Sequence, residues 1–190
     1  MAEGGGAGAA DGGPDTRVTI IVDGANVVGS RPDGWWRDRA GAAVRLHDNL
    51  AKLAERGEQG IPAAELSASG STATRGPEPD HDPGSGPDAG AGLVPVSVLL
   101  VLEGAARRAV PRIAERARAS NGDDHDDGGA HGRGEVEVVS APGSGDDEIV
   151  RQAQHLAGHC IVVTADRELR RRCVAAGARV AGPSWLYGLL

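Results

Sequence analysis

The sequence predicts an α/β fold, a Rossmann-like three-layer sandwich built on a mainly parallel five-stranded sheet with helices on both faces. Three observations carry that expectation. Short runs rich in Val, Ile and Leu alternate with helix-period segments five times over, a pattern that calls for right-handed βα crossovers. Several of these runs end in an acid, as at Ile20-Ile21-Val22-Asp23 and Leu99-Leu100-Val101-Leu102-Glu103. Glycines close the helical segments where a parallel sheet needs the chain to turn back.

Residues 1–15 are Gly/Ala-rich and read as a disordered tail, so a single domain is expected over 16–190. Thr16 to Val22, interrupted only by Arg17, predicts a buried first strand. After a loop from Gly29 to Trp36, the helical spacing of Ala43, Leu46, Leu50, Leu53 and Ala54 predicts a helix stopped by Gly57. From about 57 to 92 the chain turns to Gly, Pro, Ser, Asp and Ala without periodicity and is expected to be a disordered insertion. Val94 to Leu102 predicts the second strand, with Pro95 tolerable only near its start. An Ala/Arg helix is expected over Gly104 to Ala119, broken or restarted at Pro111. A second disordered insertion, rich in Asp and Gly, is expected at about 120–134. Glu135 to Val139 predicts a short third strand, and Asp146 to Ala157 a helix closed by Gly158. Cys160 to Val163 then predicts the fourth strand, Asp166 to Ala175 a helix closed by Gly177, and Arg179 to Ala181 a fifth strand. Ser184 is expected to cap a last helix holding Trp185, Leu186, Leu189 and Leu190.

Composition narrows the function. Thirty glycines, eleven prolines and no phenylalanine cannot spread a core over the whole length, so the apolar material is concentrated in the strands and helices. No run approaches the roughly 20 apolar residues of a membrane helix. With no basic start or apolar h-region in Met1 to Pro14, a soluble cytoplasmic protein is expected. Cys160 and Cys173 have no metal-ligand spacing and read as reduced core thiols. The net charge of −7 argues against a polyanionic partner until it is divided by region. The segments 17–56, 93–118 and 134–190 carry 18 basic residues against 14 acids, whereas the rest carries 2 against 13. The folded part is therefore mildly basic, and a nucleic-acid substrate remains admissible.

The acids are the chemical signal. In a parallel sheet, side chains at the carboxyl ends of the strands face the crevice where open α/β sheets bind ligands. Asp23 ends the first strand, Glu103 follows the second, Asp146 and Asp147 open the helix after the third, and Asp166 follows the fourth. Each has a structural explanation taken alone. An Asx turn accounts for Asp23-Gly24-Ala25-Asn26, a capping box for Ser144 with Asp147, a helix cap for Asp166, and a solvated loop for Glu103. Convergence is what capping does not require. Unneutralised carboxylates about 4 Å apart repel by roughly 1 to 4 kcal/mol at effective dielectrics of about 80 to 20, and a divalent cation removes that repulsion. Carboxylate-bound Mg²⁺ or Mn²⁺ at such an edge points to phosphodiester chemistry.

The set Val22-Asp23-Gly24-Ala25-Asn26, Gly145-Asp146-Asp147-Glu148-Ile149-Val150 and Val163-Thr164-Ala165-Asp166-Arg167-Glu168-Leu169 resembles the PIN-like superfamily of metal-dependent nucleases, and within it the NYN domain group with its YacP-like members. The resemblance implies a sheet of order 3-2-1-4-5 and RNA cleavage by acids holding one or two Mg²⁺ or Mn²⁺ ions. It implies Asp23, Asp146 and Asp166 as catalytic metal ligands with Asp147 beside them, and Asn26 and Thr164 as residues that orient the carboxylates. Many members place another acid on the helix between the first two strands. This chain offers only Asp48 or Glu55 there, and Glu103 is expected to stand in as a ligand.

Arg31, Arg37 and Arg167 are expected to bind substrate phosphates, with Arg39 nearby. Arg170, Arg171 and Arg172 read as a solvated helix face. Trp35-Trp36 is explained by packing on the first helix or by stacking on an unpaired base. His155 and His159 are separated by the helix-ending Gly158 and make a poor metal pair, and the acids of Asp123 to Asp127 lie in the second insertion. The expectation is a metal-dependent ribonuclease acting on RNA. Two alternatives stay open: a hydrolase of nucleotides or small phosphate esters, and a catalytically inactive RNA-binding module. A phosphatase needing a second acid two residues after the first is disfavoured, because that position is Ala25.

Overall fold

Val18–Asp23 forms β1, the central strand of the sheet in a computed structural model that describes residues 17–67, 92–120, 136–156 and 158–190. A short helix, α1 (Gly24–Gly29), leaves β1 at once. The turn expected at Asp23 is thus the first turn of a helix, with the Asp23 side chain as its cap. Gly24 is required there, since a Cβ would lie 2.7 Å from the Val101 carbonyl oxygen and 2.9 Å from a Leu102 methyl. A 3₁₀ turn at Trp35–Arg37 precedes α2 (Arg39–Gln59).

Helix α2 does not stop at Gly57. A Cβ on Gly57 would meet the Val96 carbonyl oxygen at 2.8 Å, so this glycine lets the helix lie close on the sheet, while Gly60, with φ +95°, ends the helix. Ordered structure also continues past residue 57, the expected start of the insertion. Ile61–Pro62 forms β2, Ala63–Ser67 forms α3, and Leu93–Val94 forms β3, which pairs antiparallel with β2. Buried Ile61 and Leu66 anchor this neck, and the Trp185 indole N–H donates to the Glu65 carbonyl at 3.0 Å. Residues 68–91 lie outside the described residues, as do the tail and residues 121–135, the expected start of the third strand at Glu135 included.

Pro95 separates β3 from β4 (Val96–Leu102). A 3₁₀ segment, Gly104–Ala109, then gives way to α4 (Val110–Ser120), which restarts with Pro111 in its first turn, as expected of that residue. The remaining elements are β5 (Val136–Ser140), α5 (Gly145–His155), β6 (Cys160–Val163), α6 (Arg167–Ala175), β7 (Arg179–Ala181) and α7 (Pro183–Leu189). Gly182 and Pro183, not Ser184, start the last helix.

The strands are parallel in the order β5-β4-β1-β6-β7, which is 3-2-1-4-5 when the five are counted along the chain. The pleat divides the core in two. Ile20, Val22, Leu100, Leu102, Ile161 and Val163 pack with Val27, Leu50, Leu53, Ile113 and Leu186 on one face. Ile21, Leu99, Val101, Val162 and Val180 pack with Ile149, Ala153, Leu169 and Cys173 of α5 and α6 on the other. Each fully buried Ile or Leu contributes about 1.5–3 kcal/mol. Both cysteines are free and buried here; burial raises both thiol pKa values, that of Cys173 to about 11, where neighbouring Cys160 adds to the effect. No helix among the described residues is long and apolar enough to cross a membrane.

The chain steps from β1 outward to β4 and β5, then returns across the sheet to β6. Strand order therefore reverses between β1 and β6, with α1 on one face and α6 on the other. Diverging connections at such a point leave a crevice at the carboxyl ends of the strands.

Candidate functional site

Register sets the depth of the acids. Val22 lies opposite both Leu100 and Val163, so Asp23 and Thr164, one residue further, stand level at the end of the sheet. Pleat alternation sets their side. Val22, Leu102 and Val163 belong to the first face, so Asp23, Glu103 and Thr164 follow onto the face that carries α5 and α6. The first turns of those two helices bring Asp146 and Asp166 to the same edge.

The β1–β6 side is closed by hydrogen bonds. Asp23 is 8% exposed and Thr164 is fully buried. The Thr164 hydroxyl donates to Asp23 Oδ2 at 2.9 Å, and the Asn26 backbone N–H donates to Asp23 Oδ1 at 3.0 Å. The Asp166 N–H donates to Thr164 Oγ1 at 3.1 Å, and Asp166 Oδ1 accepts from the Leu169 N–H at 2.8 Å, capping α6. Asn26 Oδ1 accepts from the Ala165 N–H at 2.9 Å. Of the two residues expected to orient carboxylates, Thr164 touches Asp23 through its hydroxyl, whereas Asn26 touches it only through its backbone N–H and uses its side chain to tie α1 to the β6–α6 turn. Chained bonds of this kind reinforce one another at low dielectric.

The other side is more open. Glu103 Oε2 accepts from the Gly145 N–H at 2.8 Å and so caps α5. A Cβ on Gly145 would lie 2.7 Å from that same oxygen, so the absent side chain makes room for the carboxylate. Glu103 thus brackets the start of the helix that carries Asp146. Asp147 stands apart: its Oδ1 accepts from Arg172 at 2.6 Å, and its N–H reaches Ser144 Oγ at 3.5 Å, so it ties α5 to α6 and completes the cap. Asp146 accepts no hydrogen bond among the described residues.

The electrostatics follow from this layout. Burial raises the Asp23 carboxyl above its ordinary pKa, the donors Asn26 and Thr164 oppose that, and the charges of Asp146 and Glu103 add to it. The Asp146 carboxyl is also raised, first by burial, then by Asp166 and Glu103, against the pull of Arg172, with Asp147 adding to the rise. The acids therefore lie within one another's fields. Among the described residues, no three His, Cys, Asp or Glu side chains converge as a ready-made metal-binding group. The donor chemistry, carboxylate oxygens, suits a hard divalent cation; the present side-chain positions set the acids around the edge and not on one shared point.

No protein-family model matches the chain, and no curated protein matches it. Among solved structures, the crystal structure of a variant of Rae1 (YacP) from Bacillus subtilis is 17% identical, with a TM-score of 0.46, over 90% of this chain and 72% of that one. A likeness so distant concerns the outline of the fold and carries nothing about the site.

The other expected residues are scattered. Arg31 is exposed and lies 3.5 Å from the centre of the Tyr187 ring, whose hydroxyl donates to the Val27 carbonyl at 3.0 Å. Arg37 and Arg167 are exposed, the latter beside Asp166. Asp48 is paired with Arg116 of α4 at 2.5 Å, and Glu55 is exposed on α2. The solvated arginine face is a correction. Only Arg171 fits it, paired with Glu168; Arg170 is partly buried and donates to the Thr164 carbonyl at 3.1 Å, and Arg172 holds Asp147. Successive residues of a helix point about 100° apart, so three in a row cannot share one face when α6 packs against both β6 and α5. Arg172 and Gly145 are the site neighbours missed in the sequence. Nothing local pairs Arg172 with an acid 25 residues earlier, or Gly145 with a glutamate 42 residues earlier. His159 lies beyond the end of α5, which closes at His155.

Proposed function

We propose that the carboxyl edge of the sheet is a divalent-metal site that hydrolyses phosphodiester bonds of RNA. The observation that carries this reading is Asp146, a partly buried carboxylate without a hydrogen-bond donor among the described residues, its pKa raised by burial and by neighbouring acids. Such a group is short of a positive charge, and no described lysine or arginine is bonded to it. Asp23, Asp146 and Asp166 are the residues that would hold Mg²⁺ or Mn²⁺, with Glu103 setting the start of α5. A divalent cation there supplies Lewis-acid charge to a phosphodiester.

The chain's own groups do the rest. Thr164 directs its hydroxyl proton at Asp23 Oδ2, which favours the ionised form of that carboxylate and fixes its orientation. Arg167, next to Asp166, would contact a substrate phosphate near the acids, and Arg31 and Arg37, beyond α1, would contact phosphates further along the strand. A binding-only module is the second reading, and it draws on the spread of the acids around the crevice.

Incubating labelled single-stranded RNA with wild type and Asp146→Asn, in Mn²⁺ and in chelator, separates the readings. The proposal expects Mn²⁺-dependent shortening of the RNA by wild type and a loss on the order of a hundredfold in the variant. Release of phosphate from free nucleotides without RNA cleavage would move the assignment to a small-ester hydrolase. RNA binding without either reaction would leave the module.

A further inference from the structure

The chain has three tryptophans, one tyrosine and no phenylalanine, and its buried core is aliphatic apart from Cys160 and Cys173. Aromatic side chains are the largest apolar groups available to a core, yet here none of the four is fully buried. Three of them gather around α1, which leads directly away from Asp23. The adjacent tryptophans divide their labour. Trp35 is half-buried, with its ring against the position of Gly29 and the Arg39 guanidinium 5.3 Å from its centre. Trp36 is 55% exposed and meets Trp35 edge-on, with ring centres 6.3 Å apart and planes at 84°. Trp35 thus packs at Gly29 of the unforeseen helix α1 and beside Arg39 at the start of α2, and it buttresses a neighbour that is more than half exposed.

The charges around this pair lean positive, three arginines against two acids whose oxygens are turned to backbone N–H groups. Arg31, Arg37 and Arg39 lie in the same short stretch of chain, all exposed. The two acids of the same loop are occupied: Asp33 accepts from the Trp35 N–H at 3.1 Å, and Asp38 caps α2 through the Gly41 N–H at 2.8 Å. At about 1.5 Å per residue, the short helix α1 sets the loop roughly 9 Å along its axis from Asp23, within reach of neighbouring nucleotides on one strand.

From these placements we infer that Trp36, backed by Trp35 and flanked by Arg37 and Arg39, is a stacking platform for an unpaired base of single-stranded RNA. The inference rests on the proposed RNA substrate and adds the form in which it is held. Rings offer faces to any base, and guanidiniums hold the backbone between them, so the platform selects for strandedness more than for sequence. A duplex keeps its bases stacked on one another and cannot use it.

The test is binding of a fluorescein-labelled single-stranded RNA oligonucleotide, and of its duplex form, measured by anisotropy in EDTA so that no cleavage occurs. Wild type, Trp36→Ala and Trp36→Phe are compared, with a melting curve for each. Trp36→Ala is expected to weaken single-strand binding about tenfold, Trp36→Phe to restore most of it, and duplex binding to change little. Equal affinity of Trp36→Ala and wild type for the single strand would overturn the platform, as would an equal loss for single strand and duplex. The parallel Mn²⁺ cleavage assay keeps the two readings apart. A Trp36-dependent affinity without cleavage leaves the platform and removes the nuclease, whereas cleavage with a Trp36-independent affinity does the reverse. Wild type that fails to bind single-stranded RNA at all overturns the platform.

Discussion

The two halves of the acidic edge are built differently. On the β1–β6 side, Asp23, Thr164, Asp166 and Asn26 are joined through a buried hydroxyl and backbone N–H groups, and both oxygens of Asp23 are occupied. On the α5 side, Asp146 is bonded to nothing among the described residues, and Glu103 holds only the first N–H of the helix. The first half is part of what holds β1 to β6. The second is a charge kept in place by the helix it rides on, so its removal should cost function and spare the fold.

Thr164→Val is the largest expected effect. It keeps the shape but leaves the buried Asp23 Oδ2 and the part-buried Asp166 N–H without their shared partner, a loss of about 3 kcal/mol. Chemical denaturation should show the midpoint falling with an unchanged slope. A loss under about 1 kcal/mol would mean that water replaces the hydroxyl and that this half is not sealed.

Glu103→Ala comes next, at about 1 kcal/mol, the ordinary contribution of a helix cap. Its melting temperature should drop by a few degrees, and Glu103→Gln, which keeps an acceptor for Gly145, should recover most of the difference. Failure of the glutamine to rescue would assign the loss to charge and not to the cap.

Asp146→Asn should have the smallest effect on stability, and with a particular sign. The folded-state pKa of Asp146 is raised above the ordinary value of 3.8, so the native chain binds this proton more tightly than the unfolded chain does. Stability from that difference is full below the unfolded pKa and is lost as pH rises through the folded one. At neutral pH wild type therefore carries a repulsion that the asparagine lacks. The variant should melt at or slightly above wild type near neutral pH, and the gap should close as pH falls below about 4. A variant less stable at neutral pH would show that Asp146 makes a bond in the free protein.

Much of this edge was legible in the sequence because its determinants are local. The strands are continuous apolar runs, the acids follow closely on them, and Asp166 announces its cap three residues before Leu169. Gly177, with positive φ, follows the cap of α6 as expected, whereas α5 ends at His155 with Leu156 as its cap, ahead of the expected stop at Gly158. What escaped was either too short to carry a period or depended on a distant partner. Helix α1 has six residues, and β2 and β3 have two each, so no periodicity marks them. Gly57 read as a stop because its reason, the Val96 carbonyl, lies far along the chain. The capping box marked Asp147 but not its side-chain partner, Arg172, which the neighbouring helix supplies 25 residues later.

The most direct test of the central claim is calorimetric titration of Mn²⁺ into wild type and into Asp146→Asn at neutral pH. A saturable binding heat in wild type that is absent from a variant melting no lower is the predicted result. Equal heats in both, or no binding by wild type, would contradict a metal site at this edge and leave the acids as helix caps.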